Sequence, residues 1–366
     1  MARRPLFAAL ALVSVGILPA AVPLPGFQTP GPKPTPGFEQ IRKIDVHSHV
    51  FEDVPVINAL LRRINLRLIT ISVPATDGHM ALMHRVGAAL ARQHPDIFSW
   101  ASTFDLAARN EPDYGARVGK ALDQTFADGA VMVKIWKEVG LELKRPDGSF
   151  VLPDDPVFDP VYAHLATRKK PLLAHLAEPR EAWLPLDPKG VHYSYYSRNP
   201  KWHLYGRPEF PSHERLMDSR DHILAKHPDL VMIGAHVGSL EWDVDEVAKR
   251  LDKYPNFNVE VSARTRDLTR QPAAKVRAFF VKYQDRILYG VDRSWMPHRT
   301  PGVTPTDAQR QAFATELEAQ YRRDWEYYAG KGPIAYGEET VEALALPKDV
   351  LEKFYSKNAA RIIGVK

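Results

Sequence analysis

The stretch IDVHSHVF, Ile44–Phe51, puts two histidines one residue apart at the end of an apolar run. In an extended strand residues i and i+2 share a side. His47 and His49 should therefore point one way, and Ile44, Val46 and Ser48 the other. Two histidines so spaced do not make a metal site on their own. They become half of one if other strands bring histidines and carboxylates to the same place, and that convergence would also decide how the strands are arranged.

Seven further β-rich runs follow the first, which spans 41–50. They are RLITISVP (67–74), FSWASTFDL (98–106), AVMVKIWK (130–137), PLLAHLAE (171–178), LVMIGAHVG (230–238), FNVEVSART (257–265) and ILYGVDRSW (287–295). Amphipathic stretches with helical spacing separate them, among them 77–95 with Asp77 as its N-cap, 113–129, 212–228 and 239–255. Residues 305–328 and 348–363 read as the last helices, and Pro or Gly ends several of the others. A strand–helix unit repeated eight times is the pattern of a (β/α)8 barrel, a single α/β domain of usually ~250 residues. An open doubly wound sheet is the alternative that periodicity leaves standing. LELKRPDGSFVL reads as a small hairpin about Asp147–Gly148, bordering the barrel mouth.

Alternation then sorts each strand into two rows. In LVMIGAHVG the apolar row is Val231, Ile233, Ala235 and Val237, opposite Met232, Gly234 and His236. In ILYGVDRSW, Tyr289 and Val291 oppose Leu288, Gly290 and Asp292. His175 shares a row with Leu173, and Lys134 shares one with Met132 and Trp136. Polar residues of five strands thus face inward at the C-terminal ends, where barrels gather their catalytic groups. Gly234 and Gly290 leave space one step below His236 and Asp292. So many ionisable groups in one small volume require a metal or paired charges.

These motifs, in this order, resemble the amidohydrolase superfamily. DVHSHVF, IGAHVGSL, ILYGVDRSW and the closing YSKNAARIIG are similar to its amidohydrolase-related branch, family 2, which holds metal-dependent hydrolases and decarboxylases. The resemblance runs from about residue 41 to 366 and implies a barrel with inserted loops at its C-terminal face. It implies that His47, His49, His175 and Asp292 bind one divalent metal, most simply Zn²⁺, with Mn²⁺ or Fe²⁺ also suited to such ligands. His236 would then act as general acid/base with Asp292. A second metal, bridged by carboxylated Lys134, is the less favoured arrangement. GVDRSW departs from the family pattern, in which threonine often precedes the aspartate, so the pocket near Arg293 and Trp295 does not transfer. The implied activity is hydrolysis of an amide, ester or lactone-type bond of a small molecule by metal-activated water. The alternative is a metal-dependent decarboxylase of an aromatic or unsaturated acid.

Composition fits this and excludes other classes. The chain has 366 residues, 45% hydrophobic and 25% charged, with a net charge of +5 and no basic stripe for nucleic acid. It has no cysteine, so disulfides, zinc fingers and thiol nucleophiles are ruled out. Residues 1–22 read as a signal peptide, with MARRP before a short apolar run, which predicts export to a periplasmic or extracellular space and no stable membrane insertion after cleavage. Residues 23–40 read as a Pro/Gly-rich linker, leaving 41–366 for the barrel. The long connection 179–211 carries HYSYYSRNPKWHLYG and is read as a lid or a homodimer contact. Trp136, Arg180, Tyr196 and Arg264 are the candidate substrate-binding residues.

Overall fold

The first strand, β1 (Lys43–Val50), is buried along its whole length, as a strand must be when both its faces are covered. The computed structural model describes residues 35–74, 79–297 and 304–365. The signal segment, the first part of the linker and Asp77 lie outside the described residues. β1 pairs in parallel with β2 (Leu66–Ile71), and the sheet continues in chain order through β3 (Phe98–Ser102), β4 (Ala130–Ile135) and β5 (Leu172–Ala174). It then passes through β6 (Met232–Gly234) and β7 (Phe257–Glu260) to β8 (Ile287–Leu288), while β9 (Ser294–Trp295) lies on the other edge of β1.

β8 and β9 are the two ends of one segment, and that segment closes the ring. Val46 N–H donates to the Tyr289 carbonyl at 3.0 Å, and Asp292 N–H to that of His47 at 2.6 Å. His49 and Phe51 N–H groups donate to Arg293 and Trp295 carbonyls at 2.8 and 3.0 Å. The fold is therefore the (β/α)8 barrel, and the open doubly wound sheet is excluded.

Two apolar layers result. The outer one joins strand residues such as Leu68, Val133 and Val259 to helix residues such as Leu60, Leu122 and Leu251. The inner one is built from Ile44, Val46, Ile69, Met132, Leu173, Ile233 and Leu288, plugged by Ala359 and Ile363 near the C-terminus. This corrects two of the expected rows. Ile44 and Val46 share the interior with the histidines because β1 has a bulge between Asp45 and Ser48, and one extra residue reverses the alternation. Ile233 and Ala235 also face inward. His236 reaches the interior by a turn instead of the pleat.

The helices lie close to their expected positions, at His79–Gln93, Tyr114–Ala127, His213–Lys226, Val244–Lys253 and Asp307–Ala329. Ser212 and Asp243 cap two of them, and Thr306 with Gln309 forms a capping box on the last. The stretch 348–363 is not one uniform helix, since Lys353–Lys357 widens to a π-turn between Lys348–Glu352 and Asn358–Ile363. The 144–150 turn is the small hairpin expected there, with an isolated antiparallel bridge from Lys144 to Phe150. A second hairpin, β10 (Pro333–Tyr336) with β11 (Glu339–Glu342), had no sequence expectation. The last six linker residues belong to the folded unit. Phe38 is buried against Trp325, and the buried Lys43 ammonium bonds the Phe38 carbonyl. Among the described residues no helix is long and apolar enough to cross a membrane.

Candidate metal centre

Each histidine at the barrel mouth has one ring nitrogen fixed by an acceptor. His49 Nδ1 lies 2.7 Å from the Ile71 carbonyl and His236 Nδ1 lies 2.8 Å from that of Ser262. A carbonyl only accepts, so both Nδ1 atoms carry the proton and both Nε2 atoms present lone pairs. His47 Nδ1 lies 2.9 Å from Glu260 Oε1, which orients it in the same sense. Such outer partners set the tautomer and aim of metal-binding histidines.

The Nε2 atoms converge on Asp292. Its Oδ1 lies 3.3 Å from His49 Nε2 and 3.6 Å from His47 Nε2, and its Oδ2 lies 3.8 Å from His236 Nε2. Ligand atoms of His47, His236 and Asp292 all fall within 4.8 Å of one another. His175 Nδ1 lies 3.2 Å from His236 Nε2, while its own Nε2 is buried with no hydrogen-bond partner. Lys134, fully buried, brings its Nζ to 3.2 Å from His47 Nε2. All six residues proposed for the centre are therefore together. His236, which the resemblance sets beside the ligands, belongs to the tightest trio.

Local backbone strain does part of this positioning. His236 and Asp292 sit at φ 59° and 58°, and Val237, Gly238 and Ser239 continue the left-handed run. Non-glycine residues adopt this conformation at a cost and concentrate at functional sites. Gly290 has a packing reason, because a Cβ there would lie 3.1 Å from His47 Cβ and 3.2 Å from Glu260 Oε2.

Glu260 was not anticipated. Its carboxylate accepts from His236 N–H at 2.8 Å, Ser262 N–H at 2.6 Å and Ser262 Oγ at 2.9 Å, besides His47. Burial opposes its charge, but His47, His236 and Ser262 outweigh it and hold the carboxyl down to about 2. The signal lay in FNVEVSART, where an acid interrupts an apolar strand and shares a row with Asn258 and Ser262. Burial, ahead of neighbouring charges, keeps His175 and His236 well below their ordinary range and so neutral. Burial likewise pushes the Lys134 ammonium down to about 8 against the pull of Asp292 and Glu260.

The centre opens into a cavity of about 380 Å³ whose other lining residues include Trp136, Lys137, Glu178, His192, Tyr195 and Arg264. Trp136 and Arg264 are thus where the sequence reading put them. Tyr196 is not: it is 2% exposed, its hydroxyl donates to Glu178 Oε2 at 3.2 Å, and its neighbour Tyr195 faces the cavity. Arg180 also turns away. Its guanidinium lies 5.1 Å from the Trp242 ring centroid, and it lines a separate cavity with His213 and Glu246. Arg180 opens the 3₁₀ turn Arg180–Trp183, where the chain, six residues past the end of β5, has left the cavity wall.

A sequence profile of the amidohydrolase family, the second of that name, matches residues 44–365. The chain belongs to this family. No curated protein sequence matches it significantly. Among solved structures, 2,6-dihydroxybenzoate decarboxylase complexed with 2,6-dihydroxybenzoate is similar at 16% identity and TM-score 0.52, over 89% of this chain and all of that one. The same enzyme from Rhizobium gives 15% identity and TM-score 0.51 over 89% and 99% of the two chains. A 5-carboxyvanillate decarboxylase from Novosphingobium aromaticivorans, complexed with manganese and a nitrobenzoic acid, gives 14% and 0.50 over 90% and 98%. At these identities the likeness is one of fold.

As in other amidohydrolases, the donor set suits a divalent ion. It consists of neutral imidazoles with outward lone pairs, one carboxylate and an orphaned buried nitrogen on His175. Such a nitrogen is costly to leave unbonded, and a metal would satisfy it. His47, His49, His175, His236 and Asp292 are the residues able to hold the ion.

Proposed function

We propose that this amidohydrolase is a metal-dependent decarboxylase of an aromatic or unsaturated carboxylic acid. The observation that carries the proposal is Arg264. It lines the cavity at 7% exposure, its Nε has no partner, and it makes no ion pair among the described residues. A buried guanidinium with no ion-pair contact is expensive, and a substrate carboxylate supplies one by bidentate pairing. Trp136 and Tyr195 line the same cavity and bring aromatic side chains to it. The two kinds of decarboxylase with the same fold are named for aromatic acids, which supports the same substrate class here.

In this reading Arg264 anchors the acid and the aromatic side chains orient its ring. The bond between the ring carbon and the carboxylate breaks, CO₂ departs, and a proton replaces it on carbon. His236 and Asp292, 3.8 Å apart, are placed to hold and move that proton. A divalent ion held by the histidines would supply positive charge that orients the acid and stabilises charge developing as the bond breaks. Hydrolysis, the activity expected from the sequence, uses the same groups but gives Arg264 no ion-pair contact when the substrate is a neutral ester or lactone.

The test is CO₂ release from a panel of hydroxybenzoates set against ester and lactone turnover. We expect CO₂ release that a chelator abolishes. Arg264→Met should raise KM by roughly 10- to 100-fold, the loss of a charge-assisted pair worth about 1.5–3 kcal/mol. Ester turnover without CO₂ release would reverse the assignment in favour of hydrolysis. Export through residues 1–22 is proposed on the sequence alone, and N-terminal sequencing of the mature protein tests it.

A further inference from the structure

A second convergence of ligating groups lies where the β5–β6 connection meets the barrel. Glu181, His192 and Asp267 each place a ligand atom within 4.8 Å of the others. The first two belong to the connection, and Asp267 to the short helix Thr265–Thr269 after β7. His192 Nε2 lies 2.9 Å from Asp267 Oδ1. The Glu181 carboxylate accepts from the N–H groups of Val191 at 3.1 Å and His192 at 3.0 Å, which fixes it in place.

A further observation points to a missing partner. Asp267 is 6% exposed and its Oδ2 has no hydrogen bond. Glu241, outside the trio and 2% exposed, accepts the Arg180 N–H at 2.8 Å on Oε1, but its Oε2 is equally unpartnered. After burial, the Asp267 charge is the strongest influence on Glu241, and the two push its carboxyl up to about 7 although the Arg264 and His192 charges oppose them without an ion-pair contact. Among the described residues no lysine or arginine side chain forms an ion pair with Glu181, Glu241 or Asp267; His192 alone pairs, with Asp267. Adjacent buried carboxylates with idle oxygens call for a cation.

We propose that Glu181, His192 and Asp267 form a second divalent-cation site, for Mn²⁺ or Zn²⁺, that pins the β5–β6 connection to the barrel, with the Glu241 charge nearby. One imidazole with two carboxylates is a donor set for such borderline ions. The site shares no residue with the barrel-mouth centre. Its consequence reaches the cavity, because Pro179, His192 and Tyr195 of the connection line it. An ion at this position fixes one wall of the substrate pocket.

The experiment strips the full-length chain with a chelator, titrates it with Mn²⁺ and Zn²⁺, and counts bound ions after desalting. Wild type should bind one ion per chain more than either Asp267→Asn or His192→Gln, each checked for folding by circular dichroism. The double variant His47→Ala, His49→Ala, which leaves the connection untouched, should still bind one ion. That ion should slow trypsin cleavage at Lys189, Arg198 and Lys201 about tenfold at ten times its Kd. If the double variant binds none, or folded Asp267→Asn binds as many as wild type, the proposal is wrong. If instead the only ion of the wild type survives in the double variant and is lost in Asp267→Asn, this site stands and the barrel-mouth centre falls.

Discussion

Glu260 shows how much of the site rests on one residue outside the candidate ligands. It joins His47 to the backbone of His236 and to Ser262, so it sets the aim of two histidines from two strands. Glu260→Gln keeps the shape but loses the charge and turns one acceptor into a donor. Metal affinity should fall about 10- to 100-fold, as for other outer partners of metal ligands, which a competitive chelator titration measures. Affinity unchanged from wild type would mean that the orientation of His47 comes from packing alone. The residues that could be read from sequence were those whose chemistry is rare at an inward position, namely the histidines, Lys134 and Asp292. Tyr196 and Arg180 were misread because loop conformation, unlike a strand pleat, gives no periodic signal.

At the scale of elements, alternation identified the strands but not how they end. The β1 bulge and the left-handed run at 236–239 each break the period of two, and both leave their histidines facing inward. The polar character of the site was therefore legible, while its local geometry was not. Gly234 offers a test of the β6 turn. A Cβ there would meet Phe257 Cζ at 2.7 Å and Gly238 Cα at 2.8 Å, and the second is backbone that cannot swing aside. Gly234→Ala should cost about 1–3 kcal/mol through overpacking. Thermal unfolding should show a Tm lowered by several degrees, and an unchanged Tm would show that the turn has slack.

Over the whole molecule, barrel closure depends on Ile287–Trp295, and the outside of that segment rests on a tyrosine cluster. The Tyr289 ring centroid lies 4.6 Å from that of Tyr355, the rings tilted by 56°, and its hydroxyl donates to Asp324 Oδ2 at 3.1 Å. Burial raises the Asp324 carboxyl from 3.8 to about 6, with Gln320, Tyr336 and Tyr289 only partly offsetting it. The folded-state value exceeds the unfolded one, so the protonated form favours folding. This contribution is complete below about pH 4 and is lost as pH rises through about 6. Urea midpoints of wild type and Asp324→Asn between pH 4 and 7 should diverge in that sense, with the variant losing less stability as pH rises. Parallel curves would show that Asp324 stays ionised when folded. The eightfold strand–helix order made the barrel legible from sequence. The β10–β11 hairpin was not, because its strands are four residues long and their apolar rows, Ile334 with Tyr336 and Val341, are too short to mark a period.

The claim on which the rest depends is that the barrel-mouth histidines and Asp292 hold a divalent ion. Its most direct test is the metal content, by mass spectrometry, of full-length wild type and His49→Ala purified side by side. Among the described residues the His49 side chain makes one hydrogen bond outside the centre, through Nδ1 to the Ile71 carbonyl, so the variant should fold while losing a ligand. We predict that wild type carries one ion per chain more than His49→Ala. Equal metal content in the two folded proteins would contradict the account.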